Sequence, residues 1–163
     1  MQRFLFALIA VFFFFSSTEC FAKPKPYVVF AAGEYINLSP VSHGGLYPTF
    51  GLAFEFKLPK DWTATPAVLC EFSPEFSRWG FIGAVTFDRS LHEYVGFDVA
   101  LFIAQDQEGA KWSEMALFVG PYAGFSFFLP AITLSVGTGA LVDVLTSNWV
   151  LSPTVALSVP IGQ

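Results

Sequence analysis

The sequence predicts an all-β fold, an eight-stranded antiparallel up-and-down transmembrane β-barrel, and three observations carry that prediction. Large apolar residues alternate with small or polar ones, with period two, over most of the chain. Only 13% of the 163 residues are charged, where an ordinary soluble domain carries about 25%. Beyond the N-terminal segment, no apolar run approaches the roughly 20 residues that a spanning helix needs. The formal net charge of -5, with 8 Lys and Arg in all, excludes a nucleic-acid partner, because phosphates are met by basic side chains.

Residues 1–22 read as a secretory signal peptide. Arg3 supplies the positive start, Phe4 to Phe15 is an unbroken apolar run, and Cys20-Phe21-Ala22 offers small residues for cleavage near Ala22. An uncleaved anchor would need a longer run, and lipidation of Cys20 would need smaller residues before it than Thr18 and Glu19. The folded domain is then 23–163. Only Arg3 and Glu19 leave with the signal, so the scarcity of charge belongs to the domain itself. Cys70 remains as its one cysteine, which excludes an internal disulfide and a cysteine-based metal site. His43 and His92 stand far apart, and neither a metal nor a cofactor is expected.

Eight segments alternate: about 27–36, 46–58, 66–73, 79–88, 93–104, 114–129, 131–142 and 149–161. In the second, Phe50, Leu52, Phe54, Phe56 and Leu58 interleave with Gly51, Ala53, Glu55 and Lys57. In the fifth, Val95, Phe97, Val99, Leu101 and Ile103 interleave with Gly96, Asp98 and Ala100. The seventh sets Ile132, Leu134 and Val136 against Thr133, Ser135, Gly137 and Gly139, and the eighth follows the same rule to Ile161. A soluble barrel would turn its large residues inward and cover its outside with Lys, Glu, Thr and Arg. Here the opposite face is Gly, Ala and Ser with single charges, which suits a narrow lumen, while Phe, Leu and Val suit lipid. Gly137 and Gly139 are expected to keep that lumen clear.

The connections fall into two sets. Those at 59–65, 89–92 and Pro130 are turns at one end; those at 37–45, 74–78, 105–113 and 143–148 are loops at the other. Aromatic residues gather at strand ends, with Tyr35, Tyr47, Trp79, Trp112 and Trp149 near the loops and Tyr27, Trp62 and Tyr94 near the turns. They are expected to form belts at the two membrane interfaces.

The signal, the eight alternating segments and the turn-and-loop pattern resemble the small eight-stranded outer-membrane β-barrel proteins of Gram-negative bacteria. The resemblance is architectural and spans residues 27–161; the chain departs from it in ending Val159-Pro160-Ile161-Gly162-Gln163 without a terminal aromatic. It implies a monomer in the outer membrane after cleavage, with lipids around it. Turns would then face the periplasm, and loops 37–45 and 105–113 would be free to meet an extracellular partner.

The strand-borne charges Glu55, Lys57, Glu71 and Asp98 share the expected inward face. Isolated charges in a narrow lumen are costly unless paired, so they are expected to form a polar plug, with Lys57 bonded to Glu55 or Glu71. Ser42-His43 in the first long loop, with Glu34 or Asp143 brought near by closure, is the one arrangement that fits acyl-transfer chemistry. A Ser beside a His in a Gly-rich loop is more often merely solvated. Cys70 falls on the lipid-facing parity with Val68 and Phe72. The leading expectation is therefore a non-enzymatic barrel with a side-chain-filled lumen and a structural, adhesion or surface-interaction role. A lipid-modifying enzyme and a secreted soluble barrel with its Phe face around an apolar ligand are the alternatives.

Overall fold

A computed structural model describes residues 24–38, 41–73, 78–90, 93–105 and 112–162. The strands are β1 (Lys25–Leu38), β2 (Val41–Lys57), β3 (Trp62–Ser73), β4 (Arg78–Ser90), β5 (Glu93–Gln105), β6 (Trp112–Phe128), β7 (Thr133–Asp143) and β8 (Asn148–Pro160). Each pairs antiparallel with its sequence neighbours, and β1 returns to β8, from Tyr27 opposite Pro160 to Asn37 opposite Val150, so the barrel is closed.

The turn end is tightly built. A single 3-10 turn, Pro59–Asp61, joins β2 to β3, with Lys60 and Asp61 both at φ 63°. The link from β6 to β7 is closed by the Leu129 amide donating to the Ile132 carbonyl at 2.9 Å, which agrees with the tight turn expected at Pro130. At the opposite end the Asp143 carbonyl accepts the Ser147 amide at 2.7 Å.

Two expected connections are shorter than the sequence suggested. The loop at 37–45 is mostly strand: Asn37 pairs with Ser42 and Ile36 with His43, leaving 39–40 as the connection. The pairing slips between Glu34 and Ile36, where Gly45 takes φ 83°. Gly45, expected within the loop, therefore lies at a β-bulge, where positive φ favours glycine. Likewise 62–65 belongs to β3 rather than to the preceding turn.

Alternation sorts the side chains as a membrane requires. Phe30, Phe50, Val68, Phe81, Phe97 and Val155 stand exposed on the outer wall. In water each such side chain would forgo about 1.5–3 kcal/mol of burial; among acyl chains it forgoes nothing. The alternative of a soluble barrel with its Phe face inward is overturned by this orientation. The inner wall is built instead of small residues, including Ala31, Ala53, Ala67, Ala84, Ala100 and Ala156.

Candidate functional site in the barrel lumen

All five tyrosines, Tyr27, Tyr35, Tyr47, Tyr94 and Tyr122, line the lumen. The four tryptophans, Trp62, Trp79, Trp112 and Trp149, are exposed. Trp79 meets Phe72 at 4.8 Å and Phe50 edge-on at 6.4 Å, and Trp112 stacks on Phe81 at 5.2 Å. The expected belts are thus made of Trp and Phe, and the assignment of Tyr35, Tyr47 and Tyr94 (with Tyr27) to them is corrected. A phenol brings a hydroxyl that needs a partner when buried, and the lumen holds the acceptors.

Glu55, Glu71 and Asp98 line the lumen as their parity foretold. Lys57 does not join them; it is exposed at the end of β2. Glu71 pairs with Thr49 in the β2–β3 register, eight residues from Lys57, or about 26 Å along the strand at ~3.3 Å per residue. The expected Lys57–Glu71 bond is overturned by that distance.

Hydroxyl groups donate to the lumenal carboxylates. Tyr35 donates its hydroxyl to Glu71 Oε2 at 3.2 Å, and Thr86 donates to Asp98 Oδ1 at 2.5 Å. Asp88 accepts from Thr63 at Oδ1 and from Tyr122 at Oδ2, the latter at 2.9 Å. Tyr27 and Glu55 line the same cavity. Asp88 was missed in the sequence, although it shares the inward parity of Ala84 and Thr86 along β4. Among the described residues, no Lys, Arg or His lines the main cavity.

Glycines give the tyrosines their space. Asp88, Gly96 and Tyr122 form one row across β4, β5 and β6, and a Cβ on Gly96 would lie 2.7 Å from Tyr122 Cε1. Tyr94, Gly124 and Gly137 form another row across β5, β6 and β7, and a Cβ on either glycine would collide with the Tyr94 hydroxyl. Gly137 therefore admits the Tyr94 ring rather than keeping the lumen clear. The two rings meet at 5.3 Å.

The lumen is lined but not filled, which corrects the expected side-chain plug. Its main cavity measures about 410 Å³ and runs from Tyr27, Thr133 and Ser158 near the turns to Tyr35 and Phe118. A second cavity of about 290 Å³, bordered by Asn37, Met115 and Asn148, lies toward the loops. The physical reason is the small-residue wall: Ala, Gly and Ser leave space that larger inward side chains would close.

Ser42 and His43 sit on the backbone of β2, opposite Asn37 and Ile36, and their side chains lie outside the described residues. His92 and residues 106–111 also lie outside them. Asp143 is committed to its own turn. Its Oδ1 accepts the Leu117 and Leu145 amides, both at 3.1 Å, and its Oδ2 accepts Thr146 Oγ1 at 2.6 Å. Cys70 pairs with Phe50 and Phe81, on the parity of exposed Val68. Among the described residues no group of three His, Cys, Asp or Glu is placed to hold a metal.

No family model matches the sequence, and no curated protein matches it. Solved structures do resemble the fold. Neisserial surface protein A aligns with a TM-score of 0.58 at 15% identity, covering 86% of this chain and 99% of its own. A de novo designed transmembrane β-barrel aligns at 0.50 and 11% identity, covering 85% and 98%. Ail, the attachment invasion locus protein of Yersinia pestis, in complex with the heparin analogue sucrose octasulfate, aligns at 0.44 and 10% identity, covering 86% and 100%. The chain has the fold of a small eight-stranded membrane β-barrel.

Proposed function

We propose that this chain is a monomeric outer-membrane protein of a Gram-negative envelope, exported by residues 1–22, with a structural or surface-contact role. The carrying observation is the division of its aromatic residues: the four tryptophans and Phe30, Phe50, Phe81 and Phe97 outside, all five tyrosines inside. An outer wall of that composition is stable in lipid and unstable in water. The likeness to Neisserial surface protein A supports the same reading. The ends of β1, β2, β5 and β6 that carry 37–45 and 105–113 then project from the outer leaflet. There they present the surface that an extracellular partner meets.

Cell fractionation with detergent extraction tests the proposal. The protein is expected in the outer-membrane fraction, soluble only with detergent, and slower on a denaturing gel after boiling than before. Recovery in the aqueous periplasmic fraction would sink it.

A further inference from the structure

We propose that Tyr35 is the centre of an aromatic septum that closes a cation-selective path through the barrel. This rests on the membrane reading above and goes beyond a purely structural role. Five residues, Tyr35, Tyr47, Glu71, Phe102 and Phe118, border both the larger and the smaller lumenal cavity. They come from β1, β2, β3, β5 and β6, so they meet across the lumen rather than along one wall. Tyr35 joins three of the others. Its ring stacks on Phe118 at 5.7 Å with 10° between planes, touches Tyr47 at 5.4 Å, and its hydroxyl binds Glu71 at 3.2 Å.

The chamber on the turn side is suited to water and cations. Its 410 Å³ corresponds to on the order of a dozen waters at ~30 Å³ each. Thr65, Ser135, Ser152 and Thr154 offer hydroxyls on its walls. Glu55, Asp88 and Asp98 supply carboxylates, and hydroxyl donors hold Asp88 and Asp98. A ring of acidic groups in a narrow, low-dielectric channel concentrates cations and repels anions. Rotation of the Tyr35 side chain out of its stack would join this chamber to the 290 Å³ vestibule on the loop side.

Single-channel recording in planar bilayers across a tenfold KCl gradient tests the septum. The unmodified barrel is expected to give no stable current steps, and Tyr35→Ala to give discrete steps. Its reversal potential is expected to be displaced toward the ~59 mV limit of ideal cation selectivity. Adding Asp98→Asn to Tyr35→Ala should move that potential toward zero. Phe118→Ala serves as the second opening variant if Tyr35→Ala does not fold, folding being read from heat-modifiable migration. A folded, inserted opening variant without steps, or with anion preference, would overturn the proposal. So would equal conductance of the unmodified barrel. Failure of the unmodified protein to float with vesicles would instead strike at the membrane reading itself.

Discussion

Tyr122 on β6 reaches Asp88 on β4 by passing over Gly96 of the strand between them, and its hydroxyl closes on the carboxylate at 2.9 Å. A bond that skips a strand ties three strands into one unit from inside. Tyr122→Phe leaves a part-buried acceptor short of one donor, a loss of about 1–3 kcal/mol. Gly96→Ala, which drives a methyl group into the Phe87 carbonyl as well as the same ring, costs about 1–3 kcal/mol by overpacking. Urea unfolding in phospholipid vesicles, followed by Trp fluorescence, measures both. Unchanged midpoints in the two variants would show that the row carries no stability.

The Tyr94 row allows a stricter check, because cause and remedy lie on different strands. Gly137→Val is expected to destabilise the barrel by driving the Tyr94 ring from its bed. Tyr94→Ala removes the ring, so the double variant should be more stable than the sum of the single losses predicts. Simple additivity in the same unfolding assay would mean that ring and glycine do not contact.

The orientation of the wall is testable one residue at a time. Val99 faces outward between Val85 and Val119, while Ala100 lines the chamber. Val99→Arg near the bilayer midplane should cost about 2–4 kcal/mol, whereas Ala100→Ser should cost less than about 0.5 kcal/mol. Equal losses in reversible folding measurements would contradict the assigned faces.

Cys70 reports on the same wall chemically. In a chain of residues 23–163 it is the one cysteine, and its neighbours across the sheet are Phe50 and Phe81. A charged, membrane-impermeant maleimide is expected to leave it unlabelled in vesicles and to label it after unfolding in urea. Rapid labelling in intact vesicles would place the thiol in water.

The strand count, the turn at Pro130 and the inward Glu55, Glu71 and Asp98 were legible in the sequence because period two records the pleat directly. The tyrosines were misread although the same parity held the answer. Tyr94 precedes Gly96 and Asp98 on one face of β5, whereas Trp79 precedes Phe81 on the outer face of β4. Placing aromatics by distance from a strand end overrode that signal. The separation of Lys57 from Glu71 was not legible at all, since it depends on which residue of β3 meets Thr49. The slip at Gly45 was hidden for a similar reason, because Gly-Gly suits a bulge and a loop equally.

The pairing of Tyr27 with Pro160 sets the order in which the molecule can be made. The first strand finds its second partner only after the last strand exists, and the entropy of closing so long a stretch cannot be repaid earlier. Until then the chain carries two unpaired edges and a wall of bare phenylalanine, a combination that aggregates in water.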